Sequence, residues 1–274
     1  MALAGSGPLV VLVHGYPQFW WTWRHQIPTL ADAGYRVAAV DLRGFGASDK
    51  PPSGYDAPTA CDDLAAITRS LGADRAAIIG QGLGAWIAWS MPTHRPAVTA
   101  AVAPLAMPHP SVFHRAMWRH PLQWRANQYL RAMQAPFASE RQPLTVERRL
   151  HSWSGPDTSW ITDEVSERYT EAMSVPFAGQ AAAEYHRWFY RCRLTPTGVR
   201  YLHRVQEPID VPVLHLHGEA DPTSLPVLGQ ESDRFVRGPL ARSAVPGVGQ
   251  FLTEEAPDEV GSALISWLAA AHPA

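Results

Sequence analysis

The chain contains 274 residues, with 23 basic and 25 acidic side chains and a formal net charge of −2. So small a charge creates no field that would attract nucleic acid or an anionic membrane surface, so neither is expected as a partner. The two cysteines, Cys61 and Cys192, form no CxxC pair, so we expect neither a disulfide framework nor a thiolate metal site. No stretch approaches the roughly 18 apolar residues of a spanning helix. We expect a cytoplasmic protein without a cofactor.

Short apolar runs alternate with helical stretches in the first part of the chain. The runs are continuous and rich in β-branched residues, as in strands buried on both faces, and they span 9–13, 35–41, 75–80 and 98–106. Between the second and third runs, residues 58–71 place four apolar side chains on one helical face: Ala60, Leu64, Ile67 and Leu71. Strands that alternate with helices predict a parallel sheet covered by helices on both faces.

The pattern changes between Pro108 and about Pro208, where strand-like runs vanish and Trp, Arg, Gln and Glu become frequent within segments of helical character. Strand-like and helical patterns then return at 211–217, 241–246 and 255–270. We therefore predict a core formed by residues 1–108 and 209–274, interrupted by a helical cap over 109–208.

The pentapeptide Gly80-Gln81-Gly82-Leu83-Gly84 follows the third predicted strand and precedes a helical stretch. Its G-x-Nu-x-G frame and its position are those of a nucleophile elbow, a sharp strand-to-helix turn that presents its central side chain to a pocket. Glycines on either side avoid collisions in so tight a turn. A Gly-rich loop that binds phosphate at a helix N-terminus is the alternative interpretation, although the rest of a dinucleotide fingerprint is missing.

Four further motifs each follow a predicted strand or open the loop after it. In chain order they are His14-Gly15-Tyr16-Pro17, Asp41-Leu42-Arg43-Gly44-Phe45-Gly46, Ala106-Met107-Pro108-His109-Pro110 and His217-Gly218-Glu219-Ala220-Asp221. Together with the elbow frame they resemble the epoxide hydrolase branch of the α/β-hydrolase superfamily over nearly the whole chain. The resemblance implies an α/β-hydrolase fold, with a mostly parallel sheet flanked by helices and an inserted helical cap.

The resemblance also assigns roles to single residues. In that family an aspartate at the elbow attacks an epoxide carbon and forms an ester, which a His-activated water then hydrolyses. The backbone N–H groups of Tyr16 and Leu83 match the oxyanion-hole donors, and Asp221 matches the acid that orients the histidine. Tyr190 resembles the cap tyrosine that donates to the epoxide oxygen. A turn or helix cap at Asp221 and plain aromatic packing of Tyr190 are the alternatives.

Two positions depart severely from the pattern of the family. Gly82 stands where the nucleophile is expected, and no covalent ester can form on a residue without a side chain. Gln250 stands where the family carries histidine, and an amide does not shuttle protons near neutral pH as imidazole does. Catalytic residues of this kind act as a unit, so the loss of both removes the usual mechanism.

Other candidate pocket residues are His14, Trp20 and His109. For His14 we favour a role in stabilising the turn, and for His109 a structural role at the cap junction, with catalysis by His109 as the alternative. Trp20 belongs to a tryptophan cluster that is expected to pack the first loop against the cap and to line an apolar pocket. His215 and His217 share a strand face, but no third ligand accompanies them, so no metal site is predicted.

Only residues 2–8 precede the first buried strand, whereas proteins of this fold usually open with two antiparallel edge strands. We therefore expect this N-terminal hairpin to be absent or reduced, which would leave the strand at 35–41 as an open sheet edge. An open edge invites pairing, so a homodimer is one expectation. A truncated or alternatively started reading frame would account for the short N-terminus equally well.

Two functions remain open at the level of sequence. The first is an epoxide-hydrolase-like protein whose capped apolar pocket binds a small hydrophobic ligand and whose conventional covalent hydrolysis is lost. The second is an active hydrolase or lyase of small hydrophobic epoxides or esters. In that case Asp221 or His109 would activate water directly, while Tyr190 and the oxyanion hole polarise the substrate.

Overall fold

The computed structural model describes residues 1–139 and 141–274. Within them one seven-stranded sheet has the order β1-β3-β2-β4-β5-β6-β7. The strands are β1 (Ala2–Ala4), β2 (Leu9–Val13), β3 (Arg36–Val40), β4 (Ala76–Gln81), β5 (Thr99–Leu105), β6 (Val213–Gly218) and β7 (Leu240–Val245). Neighbouring strands run parallel, apart from β1, which is antiparallel to β3. The predicted parallel sheet is confirmed.

The α-helices fall into three groups along the chain. Before β5 lie α1 (Gln26–Asp32), α2 (Ala57–Ser70) and α3 (Leu83–His94). Between β5 and β6 lie α4 (Pro110–Arg119), α5 (Pro121–Ala126), α6 (Gln128–Ala132), α7 (Val146–Trp153), α8 (Asp163–Ser174), α9 (Ala178–Arg191) and α10 (Pro196–Arg204). After β6 lie α11 (Val227–Ser232), α12 (Leu252–Glu255) and α13 (Pro257–Ala271). Among the described residues, none of the helices combines the length and apolarity needed to cross a membrane.

The central strands are buried because helices cover the sheet on both sides. Every residue of β2 and of β4 is buried. Successive side chains of a strand point to opposite faces. Accordingly, Leu9, Val11 and Val13 join one hydrophobic core, and Val10 and Leu12 join the other. A strand with two covered faces requires the continuous apolar run that the sequence shows.

Helix α2 illustrates how the sequence sets a helix end. Asp56 precedes the helix with extended backbone, and its side chain accepts a hydrogen bond from the Thr59 N–H at 2.8 Å. This bond satisfies one of the N–H groups that the first helical turn leaves without a partner. The apolar face predicted for this helix packs into one of the two cores.

Residues 107–208, as far as the structure describes them, contain helices and turns but no strand. This agrees with the helical character predicted for the region, and we refer to residues 110–204 as the helical segment. Helix α9 buries one face at the helical period, which includes Ala182, Tyr185, His186 and Phe189. The apolar residues of that face belong to the larger of the two hydrophobic cores.

The N-terminal edge of the sheet is covered. Strand β1 pairs with β3, with Ala2 opposite Ala39, so the hairpin is reduced to one strand of three residues. Our expectation of an open edge at β3 is therefore wrong, because residues 2–4 suffice to cover its middle. At the opposite end of the sheet lies β7, whose residues 240–244 are exposed.

Replacing Asp56 by alanine removes the acceptor that caps α2. We expect the free energy of unfolding to fall by about 1 kcal/mol in urea denaturation. Asp74→Ala is the matched control, because Asp74 is exposed and makes no hydrogen bond or ion pair with the described residues. Equal losses in the two variants would contradict the capping role.

Candidate active site

The turn between β4 and α3 has the geometry expected of the elbow. Gly82 lies at its centre with φ 54° and ψ −109°, a backbone conformation that strains any residue carrying a Cβ. A Cβ at Gly80 would lie 2.1 Å from the carbonyl oxygen of Gly84, and a Cβ at Gly84 would lie 2.2 Å from that of Val13. Only glycine fits these two flanking positions, so the sequence frame matches the turn.

The centre of the elbow presents backbone alone. Gly82 lines a cavity between the sheet and the helical segment. A Cβ built on Gly82 would stand 2.9 Å from a terminal amide atom of Gln250, closer than real Cβ atoms approach their neighbours. The Gln250 side chain therefore occupies space that a larger elbow residue would use.

A hydrogen-bond chain links Gln250, Thr223 and Asp221 beside the elbow. The NH₂ group of Gln250 faces three acceptors: Asp221 Oδ2 at 2.7 Å, Thr223 Oγ1 at 2.8 Å and the Ala106 carbonyl at 3.2 Å. Thr223 donates to Asp221 Oδ1 through its N–H at 2.7 Å and through its hydroxyl at 2.8 Å. The opposite amide orientation is disfavoured because it would direct a carbonyl oxygen at the carboxylate. The Gln250 carbonyl oxygen therefore faces Gly82.

Asp221 is a buried carboxyl group in the loop that follows β6, and 6% of it is exposed. Burial raises its pKa to about 7, although hydrogen bonds from Thr223 and Ser224 act in the opposite direction. A histidine at position 250 would donate an imidazole N–H to this carboxylate, and the Gln250 NH₂ group donates in its place. The glutamine thus satisfies the acid without supplying a base.

Glu255 holds the loop that carries Gln250. Its Oε2 accepts from the Gly155 N–H at 2.7 Å and from the Gly249 N–H at 2.8 Å. Its Oε1 accepts from the Phe251 N–H at 2.9 Å. Because the residues on both sides of Gln250 are bound to one carboxylate, the position of its side chain is restricted.

Two backbone N–H groups beside the elbow find no acceptor within residues 1–139 and 141–274. Leu83 is the first residue of α3, where N–H groups precede the helical hydrogen bonds. Tyr16 follows Gly15, whose Cα would lie 3.8 Å from a Cβ on Gly82. Tyr16 and Leu83 both line the cavity. The sequence predicts the N–H groups of these two residues as oxyanion-hole donors. The N-terminus of α3 adds to the positive electrostatic potential at these groups.

The cavity is narrow and largely aromatic. Its volume is about 50 Å³, whereas ligand pockets commonly measure roughly 300–1,000 Å³. Large side chains from α3 and the helical segment form its walls: Trp86, Phe113, Tyr129, Leu130, Trp153, Tyr185, His186 and Phe189. In this conformation the cavity admits a molecule of a few non-hydrogen atoms, and a larger ligand requires the helical segment to move.

His186 is a cavity residue that the sequence motifs did not single out. Its Nδ1 donates to the Ala182 carbonyl at 2.6 Å, and its ring meets the Tyr16 ring edge-on, with centroids 5.0 Å apart. Burial lowers the pKa of His186 to about 4, so the imidazole is neutral at pH 7. The helical period was the available signal, since His186 shares a face with Ala182 and Phe189.

Tyr190 lies outside the cavity lining, contrary to the prediction. Its ring packs against Trp118, with centroids 5.3 Å apart. The cavity face of α9 consists of Tyr185, His186 and Phe189. At about 100° per residue, Tyr190 lies roughly 90° from the centre of that face, so the helical period directs it to the flank of the segment.

His14 and Trp20 are also absent from the cavity lining. His14 accepts from the Leu42 N–H through Nε2 at 3.0 Å and donates to the Gly15 carbonyl through Nδ1 at 2.7 Å. The backbone N–H of Trp20 donates to Asp41 Oδ1 at 2.9 Å. Both residues therefore stabilise the loops that follow β2 and β3, and the expected pocket positions are not observed.

His109 caps α4 rather than lining the cavity. Its Nδ1 accepts from the Ser111 N–H at 3.3 Å, and its ring stacks on Phe235 with centroids 3.9 Å apart. Burial lowers its pKa to about 3. These contacts support the structural interpretation of His109 and remove it as a candidate base for the cavity.

A family model described as the alpha/beta hydrolase fold matches residues 8–235. The chain is similar to the AB hydrolase superfamily protein YfhM of Bacillus subtilis, with 34% identity over 196 residues, 68% of either protein. It is similar to epoxide hydrolase A of Mycobacterium tuberculosis, with 29% identity over 96% of this chain and 91% of that enzyme. The crystal structure of epoxide hydrolase A from Mycobacterium thermoresistibile superposes with a TM-score of 0.80 at 29% identity, covering 98% of this chain and 93% of that one.

Gly82→Ala is expected to destabilise the protein through backbone strain and through contact with the Gln250 amide. Gly72→Ala is the matched control, because Gly72 has a φ of +73° with nothing within 4 Å of a Cβ. The control therefore measures strain alone, on the order of 1–3 kcal/mol. In urea denaturation we expect Gly82→Ala to lose more unfolding free energy than Gly72→Ala. In a Gln250→Ala background the difference between the two losses should be smaller. Equal losses would show that Gln250 does not fill this space.

Asp221 makes the stability of the protein depend on pH. Its pKa is 3.8 without perturbation and about 7 in the folded protein, so folding takes up a proton between these two values. Rising pH in this window therefore lowers the free energy of unfolding. Asp221→Asn removes this titration. The melting temperature of the variant minus that of the parent should therefore increase by several degrees from pH 5 to pH 8. The buried histidines are present in both proteins, so their titration does not contribute to this difference. A difference that stays the same at every pH would contradict this assignment.

Proposed function

Since the chain belongs to the α/β-hydrolase fold family and is an epoxide-hydrolase-like member of it, we propose that it binds a small hydrophobic ligand in a capped pocket without conventional covalent hydrolysis. The family resemblance that the sequence motifs indicate is confirmed. The ligand and the loss of hydrolysis form the proposal, and three features of the site support them.

The observation that carries the proposal is the bare backbone at Gly82. A covalent hydrolase forms its ester on a side chain at the elbow, and here the cavity floor offers only main-chain atoms at that point. Thr223 and Ser224 carry the aliphatic hydroxyl groups of the cavity lining, and Thr223 is the one bonded to Asp221. Its proton is directed to Asp221 and its oxygen accepts from Gln250, so it is held in place on both sides.

The second supporting feature is the amide at position 250. A side-chain amide has no pKa near neutrality, so it neither removes a proton from water nor returns one to a leaving group. Gln250 is also engaged by Asp221 through its NH₂ group. Both chemical members of a nucleophile and base pair are thus missing, while the acid remains in place.

The third feature is that the parts used for binding persist. The N–H groups of Tyr16 and Leu83 remain without acceptors in the described part of the chain, and main-chain donors survive any change of side chain. The cavity walls are aromatic and apolar, with Trp86 and Trp153 among them. A site of this kind favours a small apolar molecule that carries an acceptor oxygen.

The alternative, a hydrolase that activates water without a covalent intermediate, finds less support. It required Tyr190 to polarise the substrate, and Tyr190 packs on Trp118 outside the cavity. It also required Asp221 or His109 to reach a water, but neither is among the lining residues, and the Asp221 oxygens accept from Thr223 and Gln250.

Turnover of 1,2-epoxybutane, an epoxide of five non-hydrogen atoms, tests the proposal. We expect the unaltered protein to form diol at the uncatalysed rate. The double variant Gly82→Asp with Gln250→His should raise the rate by about 10³-fold or more, because both missing chemical groups are restored.

The two single variants are the matched controls and should stay near the uncatalysed rate, since nucleophile and base act as a unit. Diol formation by the unaltered protein in proportion to its concentration would overturn the proposal. A folded but inactive double variant would show that positions 82 and 250 are not those of the nucleophile and the base.

A further inference from the structure

The side chain of Gln250 places a hydrogen-bond acceptor at the elbow. Its NH₂ group is directed to Asp221, Thr223 and Ala106, so its carbonyl oxygen is turned toward Gly82. Gln250 lines the cavity. An amide oxygen, which has two lone pairs, therefore lies beside Gly82, where the side chain of an aspartate elbow would begin.

His186 supplies a second acceptor in the lining of the same cavity. Its Nδ1 carries the proton, because it donates to the Ala182 carbonyl of its own helix at 2.6 Å. In a neutral ring the other nitrogen, Nε2, is then an acceptor. His186 is 9% exposed and lines the cavity, and Nε2 meets no hydrogen-bonding group within residues 1–139 and 141–274. Since Nδ1 is bonded to the helix backbone, Nε2 is the ring nitrogen left to accept from a ligand in the cavity.

The floor of the same cavity carries donors. The N–H groups of Tyr16 and Leu83 lie beside the elbow and find no acceptor in the described chain. A buried polar group without a partner is costly, so a ligand that satisfies donors and acceptors together is favoured over one that satisfies either alone.

We propose that the cavity selects a small neutral alcohol, whose hydroxyl oxygen accepts from the N–H groups of Tyr16 and Leu83 and whose proton is donated to His186 or Gln250. A hydroxyl is the smallest group that accepts and donates at once. This inference rests on the proposed function and adds to it the chemistry of the ligand.

A carboxylate fits these contacts poorly. It would satisfy the N–H groups of the floor, but its charge would face the lone pairs of Gln250 and His186 with no proton between them. Arg149 is a feature that would favour an anion, because its guanidinium lies 4.9 Å from the Tyr16 ring centroid. Arg149 is, however, not among the residues that line the cavity. A ketone accepts from the floor and leaves both acceptors without a proton.

Three ligands of five non-hydrogen atoms separate these chemistries: butan-2-ol, butan-2-one and propionate. They are kept small because the cavity measures about 50 Å³, and their binding requires the helical segment to move slightly. Each is titrated into the ¹⁵N-labelled full chain at pH 7, and binding is followed by the amide resonances of Tyr16 and Leu83. We expect roughly millimolar dissociation constants for molecules this small. Butan-2-ol should bind about tenfold more tightly than the other two, which corresponds to one neutral hydrogen bond.

His186→Phe tests the acceptor on the helical segment, since phenylalanine keeps a ring without a nitrogen. The affinity for butan-2-ol should fall toward that for butan-2-one, because only Gln250 is left to accept the proton, and the affinity for butan-2-one should remain unchanged. His186→Gln, which returns an acceptor oxygen, should recover part of the preference. Tyr190→Phe is the matched control, because Tyr190 lies on the same helix outside the cavity and should bind all three ligands as the parent does.

The outcomes distinguish this inference from the proposed function. If propionate or butan-2-one binds at least as tightly as butan-2-ol, the cavity binds ligands but its selectivity is assigned wrongly. If His186→Phe leaves the preference for the alcohol intact, the role of His186 is refuted. If none of the three ligands shifts either amide resonance, both the inference and the proposed ligand binding fail. Should His186→Phe not fold, the comparison of ligands on the unaltered chain still decides.

Discussion

The buried carboxyl group of Asp221 is the constraint on which the site depends. A carboxyl group removed from water has to be hydrogen-bonded, and Thr223 donates twice to Oδ1. Oδ2 accepts from the NH₂ group of Gln250, on the loop that follows β7, at 2.7 Å. The Gln250 side chain thus donates to the carboxyl group and also fills the space above the elbow.

Helix α12 holds this arrangement through two adjacent glutamates. Glu255 binds the backbone on both sides of Gln250. Glu254 is 5% exposed and accepts two hydrogen bonds of 2.7 Å from Arg24, and it also accepts from the Tyr169 hydroxyl of the helical segment. The loop after β2, the end of the chain and the helical segment are thereby joined at one point. Charge-assisted bonds of this kind, when buried, keep the cavity groups preorganised.

Local constraints made part of the site predictable. The turn at the elbow leaves no room for a Cβ at Gly80 or Gly84, so a motif of five consecutive residues predicts its geometry. Asp221 was found because it follows a strand in a fixed order of motifs. The side chains of the helical segment that line the cavity are harder to predict from such local patterns. Tyr190 lies only about 40° around α9 and roughly 6 Å along its axis from His186, so a small displacement on the helix surface separates the cavity wall from the flank.

Residue identity and local pattern specify the alternation of strands and helices along the chain, the sharp turn at Gly82, and the glycine and glutamine at positions 82 and 250. These properties depend on residue identity and on short-range sterics. Long-range packing places the amide of Gln250 in the space above the elbow, brings His186 into the lining of the same cavity, and limits the cavity to about 50 Å³. Those properties arise from the packing of segments more than 60 residues apart in the chain, whose relative placement is set by contacts that no local pattern encodes.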